Sequence, residues 1–361
     1  MRWREHGRAF QEITEARLLP KIVQLGGNLY GAVFSLMKVV PARFILRRAM
    51  ARGVLAPDTV IVETTSGTFG LALAMQAALL KRKLILVSDP VIDRHLSHRL
   101  VGLGATVEIV EQPAEHGGYQ SARLRRLAEI LVEQPNSFCP EQYSNPDHPA
   151  SYAVVAEQLI EVLGTIDCLV GPVGSGGSMC GTVRALRQHI PHTLAVAVDT
   201  HHSTLFGQVD GHRLLRGLGN SLMPGNLEHE IFDEVHWCTP AEAYAATRWA
   251  HRHHALFQGP TSGAALLVAR WWAARHPDAR CVVMLPDEGH RYQNTVYDDE
   301  WIAEQGLVLD VLPAAPVELP HPCVDSSTWS WFRWRRRDLR SVLAAAGLET
   351  AEPTTVRGTA P

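Results

Sequence analysis

Lysine is scarce in this 361-residue sequence: only four of its 34 basic residues are lysines, namely Lys21, Lys38, Lys81 and Lys83. Any chemistry that needs a primary amine is therefore restricted to few positions. Long apolar runs are also missing, since none reaches the roughly 18 residues that a membrane-spanning helix needs. The charged first residues are not followed by the apolar stretch of a secretory signal. We expect a soluble, cytoplasmic protein without a membrane partner.

Cysteine usage and net charge exclude further classes. The six cysteines are scattered and form no Cys-x-x-Cys pair, which favours reduced thiols. The formal charge of −3 gives no broad attraction to nucleic acid, so we predict no nucleic-acid partner. Hydrophobic residues make up 46% of the chain and charged residues 20%, which excludes wholesale disorder. At about 150 residues per domain, the length predicts two domains or one two-lobed enzyme.

Eighteen histidines invite a metal interpretation. The densest sets, at residues 201–202 and 251–254, have no second ligand pair at zinc-finger spacing, and no HExxH motif occurs. We predict no metal site and interpret the histidines as surface or capping residues.

Short β-branched runs alternate with amphipathic, helix-length stretches from Thr59 onward. This alternation predicts parallel α/β layers, as a doubly wound sheet or a pair of such sheets. The predicted strands are residues 60–63, 84–88, 106–110, 168–171, 194–199 and 281–285. The predicted helices are residues 70–80, 94–103, 119–133, 151–163, 178–189, 240–254 and 262–275. Ligands usually bind at the carboxyl ends of such strands.

Two loops rich in glycine and hydroxyl groups each follow a predicted strand and precede a predicted helix. Residues 64–70 read TTSGTFG, and their N–H groups suit a carboxylate or phosphate, although an N-capped turn explains the pattern equally well. Residues 174–178 read GSGGS and suit a phosphate. They match neither a Walker A loop nor GxGxxG, because Met179 occupies the last glycine position. A small phosphorylated cofactor is therefore favoured over a nucleotide.

Two anion-binding loops and a scarce lysine point to pyridoxal phosphate, which needs a phosphate site, a substrate carboxylate site and an amine. Lys81 and Lys83 stand between a helix and the next strand, opposite the carboxyl ends of the strands, and Lys21 lies in the N-terminal segment. Lys38 remains, and its apolar neighbours favour a lowered pKa and a reactive amine. Without the two loops, a lysine that extends to solvent from a buried segment is the preferred explanation.

Residues 13–304 resemble fold-type II pyridoxal-phosphate enzymes of the cysteine synthase group. Within that group they are most similar to N-(2-amino-2-carboxyethyl)-L-glutamate synthases, which serve 2,3-diaminopropionate biosynthesis. Besides the two loops, the motifs that carry the resemblance are Glu141-Gln142-Tyr143, Asn145-Pro146, Gly217-Leu218-Gly219, Gly263-Ala264-Ala265 and residues 285–292, LPDEGHRY. Residues 115–119, EHGGY, and Pro41-Ala42-Arg43-Phe44 resemble the diaminopropionate branch in particular.

The resemblance implies a tryptophan synthase β-like α/β fold with two doubly wound lobes and pyridoxal 5′-phosphate between them. It assigns residues 1–34 and 146–312 to a large cofactor-binding lobe, and residues 35–145 to a small lobe that binds the substrate carboxylate. Residues 313–361 form a C-terminal extension. The resemblance also implies a homodimer that acts on small amino-acid substrates.

The roles that the resemblance implies fall on both loops. Lys38 is the Schiff-base lysine and catalytic residue, and Thr68 faces the 3-hydroxyl of the pyridine ring. The cofactor phosphate is bound by Gly174, Ser175, Gly176, Gly177 and Ser178. The substrate carboxylate is bound by Thr65, Ser66, Gly67 and Gln142. Arg216 is our candidate for the cation that a phosphate leaving group and a dicarboxylate nucleophile both need.

Three positions depart from the family pattern. The residues flanking Lys38 are apolar where the family has Asn-Pro-x-Gly-Ser and Asp-Arg, which means either a reshaped loop or lost activity. Thr68 replaces the family's asparagine and can still donate a hydrogen bond to the ring 3-oxygen. Glu288 stands where a serine commonly lies near the ring nitrogen. There it either keeps that nitrogen protonated or pairs with Arg291.

The C-terminal extension begins with a proline-rich linker, and residues 329–345 are predicted to form a short helix. Within it, residues 329–337 are basic and aromatic, a composition that suits nucleic acid, an anionic surface or a partner chain. One short patch on an acidic protein is weak support for the first two. We favour packing on its own dimer or on a partner protein.

The activity that the resemblance predicts is β-replacement. L-Glutamate would displace the phosphate of O-phospho-L-serine and give N-(2-amino-2-carboxyethyl)-L-glutamate. One alternative is a cysteine or cysteate synthase that uses a sulfur nucleophile. Another is a catalytically inactive binding homologue that kept the fold and the anion-binding loops.

Overall fold

The computed structural model describes residues 9–65, 67–90, 92–215, 217–309, 312–324 and 326–347, together with the backbone of residues 355–356. Its strands are β1 (Lys21–Gly26), β2 (Leu29–Val33), β3 (Val60–Thr64), β4 (Leu84–Ser88), β5 (Ala105–Ile109), β6 (Ser137–Phe138), β7 (Cys168–Pro172), β8 (Leu194–Thr200), β9 (Met223–Pro224), β10 (Glu234–Cys238), β11 (Cys281–Leu285), β12 (Val317–Glu318), β13 (Ser330–Phe332) and β14 (Thr355–Val356).

The α-helices alternate with these strands through most of the chain. They are α1 (Ile13–Ala16), α2 (Val39–Ala51), α3 (Thr68–Leu80), α4 (Arg94–Gly102), α5 (Gly118–Glu133), α6 (Asp147–Ala150), α7 (Ala153–Leu163), α8 (Gly177–His189), α9 (Pro240–His254), α10 (Pro260–Arg275), α11 (Asp299–Glu304) and α12 (Leu339–Ala345). Among the described residues, no helix combines the length and the apolar composition needed to cross a membrane.

The larger sheet has eight strands in the order β1-β2-β11-β7-β8-β10-β13-β12. Its five central strands, from β2 to β10, run parallel, and β1 and β13 pair antiparallel to them at either side. Both faces are covered by helices. Leu169 of β7 packs with residues of α7 and α8, whereas its neighbours Cys168 and Val170 pack with α9 and α10. Alternate residues of a strand face opposite sides, which explains why these strands are apolar throughout.

The smaller sheet has four parallel strands in the order β5-β4-β3-β6. On one face, Ile61 packs with residues of α2, α3 and α4, and on the other Val62 packs with α5. The prediction of an α/β fold with parallel sheets is confirmed. The assignment of lobes to exact residue ranges remains a prediction.

Strong periodic signals gave accurate boundaries, and weak ones were missed. Strands 84–88 and 281–285 and helix 240–254 occur as predicted. The β1–β2 hairpin was missed, although Gly27-Asn28 between its strands is a recognised hairpin signal. Strand β10 was missed because a histidine and a glutamate interrupt its apolar pattern. Helix α2 was missed because Pro41 stands in its first turn, where proline is tolerated.

The predicted helix over residues 329–345 is wrong in its first half. Residues 330–332 form β13, which pairs antiparallel with β10, and the helix covers only Leu339–Ala345. The aromatic side chains suit a pleated, half-buried surface and find one beside β10. Trp329 and Trp334 are fully buried within the chain, and Trp331 nearly so. These rings are therefore structural, which corrects the hypothesis that the run packs against another molecule.

Candidate active site

A cavity of about 410 Å³ lies at the carboxyl ends of strands from both sheets. Its wall includes residues that closely follow four of these strands: Thr65 after β3, Asp89 after β4, Gly174 after β7 and Asp287 after β11. Residues of the EHGGY motif also line it, namely Gly117, Gly118 and Tyr119. The cavity therefore occupies the position where parallel α/β sheets usually bind ligands.

Lys38 is held in this cavity by the loop between β2 and α2. The backbone N–H of Phe34 donates to the carbonyl of Leu285 at 2.9 Å, and that of Met37 donates to the carbonyl of Pro286 at 2.7 Å. These bonds fasten the loop to the end of β11. The Nζ atom of Lys38 lies 3.4 Å from Oγ of Ser175, in the second glycine loop.

The apolar residues around Lys38 fill two hydrophobic cores. Phe34 and Met37 belong to a core of the larger sheet, whereas Leu36 and Val39 belong to the core of the smaller sheet. The apolar residues of the loop thus pack into the cores of both sheets while its lysine lines the cavity. Burial lowers the pKa of Lys38 to about 8, because the interior disfavours the charged ammonium.

The phosphate loop, defined as residues 174–178, enters α8. Ser175 and Ser178 line the cavity, and the helix begins at Gly177. Gly176 has φ of +81°, and a Cβ there would lie 2.7 Å from the Cα of Leu227. Only glycine therefore fits this turn. The first N–H groups of a 13-residue helix, together with two hydroxyls, provide donors suited to a phosphate.

The carboxylate loop, defined as residues 64–70, enters α3 in the same way. Thr65, Gly67 and Thr68 line the cavity, while Ser66 lies outside the described residues. The N–H of Gly67 donates to Oγ1 of Thr65 at 3.1 Å. The side-chain amide of Gln142 donates to the carbonyl of Thr64 at 3.0 Å, which fixes Gln142 against this loop.

Glu63, in strand β3, holds the backbone of Gln142 in place. Its two carboxylate oxygens accept hydrogen bonds from the N–H groups of Thr64, at 2.8 Å, and Gln142, at 3.1 Å. Burial is the main reason that the pKa of Glu63 is raised to about 7. Sequence reasoning missed Glu63, although a carboxylate within a buried strand is an unusual signal.

Of the described residues, three arginines line the cavity, and none of these was predicted as a site residue. Arg123 forms a buried ion pair with Asp89, at 3.1 Å between Nε and Oδ2. Arg213 pairs with Asp210 at 2.7 Å and donates to Oγ of Ser221. The third is Arg291, whose Nη1 would lie 3.3 Å from a Cβ placed on Gly67. Arg216, the predicted cation, lies outside the described residues.

The cavity carboxylate at the end of β11 is Asp287, and not Glu288. Glu288 does not line the cavity, and its Oε2 lies 3.6 Å from Nε2 of His290 at a half-exposed position. Asp287 is buried, lines the cavity and accepts a hydrogen bond of 2.8 Å from the Tyr292 hydroxyl. Adjacent residues of extended backbone point to opposite sides, which explains why only one of the two faces inward. The contact of Glu288 with the ring nitrogen stays a prediction, and Asp287 is the residue of this pair that lines the cavity.

Comparisons with known proteins agree with this geometry. Residues 37–287 match the family described as "Pyridoxal-phosphate dependent enzyme". The chain is 35% identical over 266 residues to the N-(2-amino-2-carboxyethyl)-L-glutamate synthase of Ralstonia nicotianae, covering 73% of this chain and 79% of the relative. It is 34% identical over 269 residues to the synthase of the same name from Cupriavidus metallidurans, with the same coverage.

The chain belongs to the pyridoxal-phosphate dependent enzyme family. It is also similar to the solved O-acetylserine dependent cystathionine β-synthase of Helicobacter pylori, with 25% identity and a TM-score of 0.74, covering 80% of this chain and 98% of that one. This member of the family has the fold-type II architecture and is a pyridoxal-phosphate dependent β-replacement enzyme.

The residues of the cavity fit the cofactor of the family. Pyridoxal phosphate carries an aldehyde, which binds an amine, and a phosphate on the same small molecule. The Lys38 amine, with its lowered pKa, lies beside the Ser175 hydroxyl of the phosphate loop and so meets both needs. Lys38 would bind the aldehyde carbon, and Ser175, Ser178 and the N–H groups of α8 would bind the phosphate. Thr68 lines the cavity, and its contact with the ring 3-oxygen stays a prediction. Thr261, at the start of α10, adds a hydroxyl that the sequence did not single out.

Proposed function

We propose that this enzyme joins L-glutamate to O-phospho-L-serine, giving N-(2-amino-2-carboxyethyl)-L-glutamate and inorganic phosphate. The Cβ–O bond of phosphoserine breaks, a bond from the glutamate nitrogen to Cβ forms, and the nitrogen loses a proton. Two relatives named for this product support the choice of glutamate as the nucleophile. The observation that carries the proposal is the half-buried Lys38 amine, with its lowered pKa, beside the phosphate loop.

Lys38 has two tasks in this reaction. Bound pyridoxal phosphate supplies the electron sink that stabilises negative charge at the substrate Cα. Lys38 would first hold the cofactor aldehyde, and its Nζ, when free, would remove the Cα proton of the substrate and later return one. A base works best when its pKa lies near the working pH, and the burial that brings Lys38 to about 8 meets this requirement.

The carboxylate loop orients the substrate. Thr65, Gly67 and Gln142 line the cavity. The Thr65 hydroxyl and the second N–H of the Gln142 amide can donate to a carboxylate, whereas the N–H of Gly67 is bonded to Oγ1 of Thr65. We include Ser66 in this set because its neighbours on both sides line the cavity. Fixing the carboxylate fixes the direction of the Cα–H bond relative to Lys38, and such orientation is a large part of catalysis.

The charged groups of the substrates need cations. O-Phosphoserine loses a phosphate, and glutamate carries two carboxylates. Arg123, Arg213 and Arg291 line the cavity, and guanidinium groups bind phosphate and carboxylate oxygens in pairs. Arg216, directly before the cavity-lining Gly217, remains a further candidate.

Product analysis tests the proposal directly. Purified enzyme loaded with pyridoxal phosphate is incubated with O-phospho-L-serine and one of glutamate, sulfide or sulfite, and the products are identified by mass spectrometry. We expect stoichiometric phosphate release and the glutamate adduct. Cysteine or cysteate as the main product would contradict the amine nucleophile and indicate the sulfur-using alternative. Absence of bound cofactor would indicate an inactive homologue.

We also propose that the enzyme is a cytoplasmic homodimer that serves a secondary-metabolite pathway. The six cysteines are unpaired, as expected in a reducing compartment. Exposed apolar side chains are concentrated in the N-terminal part of the chain and suit a subunit contact: Phe10, Ile13, Leu19, Val23, Phe44, Met50 and Val54. Light scattering of the purified enzyme would show a monomer if this contact is not used.

A further inference from the structure

His148 lies on α6, between the two loops of the active site. It is fully buried, and it does not line the cavity. Its ring stacks on Phe69 of α3, with centroids 6.1 Å apart and planes inclined by 14°. Phe69 directly follows Thr68 of the carboxylate loop. The histidine is therefore placed behind the wall of the cavity.

A hydrogen bond connects His148 to the substrate side. Its Nδ1 lies 2.6 Å from the backbone carbonyl of Gln142. Since a carbonyl only accepts, Nδ1 carries the proton and donates. Asn226 donates to the same carbonyl at 3.1 Å, so the oxygen has two donors. Together they fix the backbone at Gln142, whose side chain reaches the carboxylate loop.

Packing connects the same ring to the cofactor side. A Cβ placed on Gly177 would lie 2.8–2.9 Å from Cγ, Cδ2 and Nε2 of His148. The face of the imidazole thus lies against the first residue of α8, whose N-terminus forms the phosphate loop. One turn later, a Cβ on Gly181 would meet the carbonyl of Pro149. Two glycines on one face of α8 therefore allow α6 to approach it closely.

The ring is neutral in this position. Burial, with a contribution from the nearby Lys38 charge, lowers the pKa of His148 to about 3. The protonation state, and with it the donor at Nδ1, does not change in the range where the enzyme works. His148 is therefore a permanent connection that pH does not switch.

We propose that His148 is a positioning residue with two separable tasks: its Nδ1–H holds Gln142 in register for the substrate carboxylate, and its ring face holds the phosphate loop in place for the cofactor. The inference rests on the proposed function only for the identity of the amino-acid substrate. The cofactor task can be measured without any reaction.

Two substitutions separate the tasks. In His148→Asn the amide nitrogen occupies the place of Nδ1 and can still donate to Gln142, but the ring face is lost. In His148→Phe a ring remains, but the donor is lost. We expect the asparagine variant to bind pyridoxal phosphate about tenfold more weakly with little change in KM for O-phospho-L-serine. We expect the phenylalanine variant to show about a tenfold higher KM with cofactor affinity nearly unchanged.

The measurements are absorbance titration of apoenzyme with pyridoxal phosphate and phosphate release by the loaded enzyme. Tyr152→Phe is the matched control, because Tyr152 also packs on His148, and its buried hydroxyl has no hydrogen-bond partner among the described residues. This control should change neither the affinity for pyridoxal phosphate nor the KM for O-phospho-L-serine. Asn226→Ala removes the second donor to the Gln142 carbonyl and should raise KM even if His148→Phe fails to fold.

If cofactor affinity and KM change equally in His148→Asn and His148→Phe, the inference is overturned. Replacing a purely structural histidine would impair cofactor binding and substrate binding together. A change in thermal stability alone, with both quantities at wild-type values, would overturn it as well. If the loaded enzyme does not react with phosphoserine, the proposed function fails. The cofactor titration still decides whether His148 holds the phosphate loop.

Discussion

The two anion-binding loops look alike in sequence but differ in how firmly the fold holds them. In the phosphate loop, a Cβ at Gly176 would collide with the backbone of Leu227, and one at Gly177 with the His148 ring. In the carboxylate loop, a Cβ at Gly67 would meet only Nη1 of Arg291, at 3.3 Å, whereas one at Gly70 would collide with the Thr65 side chain of the same loop. The tip of a long side chain can move, whereas backbone cannot. At Gly176 and Gly177 the phosphate loop is therefore more firmly enclosed by other parts of the fold than the carboxylate loop is at Gly67.

The difference follows from what surrounds each loop. The phosphate loop lies between the larger sheet, α6 and the segment around Leu227, so elements on several sides fix it. The carboxylate loop is held at Thr64 by hydrogen bonds with Gln142 and Glu63, but at Gly67 it meets only the cavity and the end of the Arg291 side chain. A cofactor that stays through many turnovers is served by a rigid site, and a substrate that enters and leaves is served by an adjustable one.

The largest effect is expected at Lys38, whose amine lies in the cavity beside Ser175 of the phosphate loop. Lys38→Ala removes the amine that attaches the cofactor and moves the Cα proton, so we expect at least a 1,000-fold loss of β-replacement activity. The visible absorbance of attached pyridoxal phosphate should also disappear. Cofactor phosphate binding should persist in part, because the phosphate loop does not need Lys38. Retention of the attached-cofactor spectrum would show that another amine does this work.

The pH dependence of cofactor attachment tests the burial of Lys38. A protonated amine cannot attack an aldehyde, so the attachment rate to apoenzyme should rise about tenfold per pH unit below pH 8 and level off above it. An exposed lysine would keep rising toward pH 10.5. Stopped-flow absorbance with pyridoxal, which lacks the titrating phosphate, gives the profile. A midpoint near 10 would contradict the buried position of the amine.

A pair of glycine substitutions tests the comparison itself. Gly176→Ala should destabilise the protein by about 1–3 kcal/mol, because it combines a positive φ with a backbone collision. Gly67→Ala has an extended φ of −145° and should cost less than about 1 kcal/mol. Denaturant unfolding of both apoproteins gives the two values. Equal losses would mean that the carboxylate loop is as rigid as the phosphate loop.

The smallest effect is expected at Glu288. Because its side chain points to His290 and away from the cavity, Glu288→Gln should change kcat/KM by less than about twofold. Asp287→Asn is the informative neighbour, since it alters the buried acceptor of the Tyr292 hydroxyl and should reduce activity clearly. A larger loss for Glu288→Gln than for Asp287→Asn would restore Glu288 to the site.

The candidate site could be predicted where one residue type is both rare and chemically necessary. Lys38 followed from the scarcity of lysine, and Thr65, Gly67, Thr68, Ser175 and Ser178 followed from glycine and hydroxyl groups between a strand and a helix. The structure brings all of these to one cavity. Arg123, Arg213 and Thr261 could not be found in this way, because arginines are abundant here and no local pattern marks those that face a cavity.

The local sequence determined the elements whose signal is periodic: apolar β-branched runs, amphipathic helices, and the glycine turns between them. Strands that are buried on both faces of a sheet are easy to predict from sequence, since every residue in them must be apolar. Tertiary structure decided which way side chains point and which distant segments pair. It directed Asp287, and not Glu288, to the cavity. It also paired residues 330–332 with β10 and placed His148 between the two anion-binding loops. These outcomes depend on partners that are distant along the chain, and no local pattern records them.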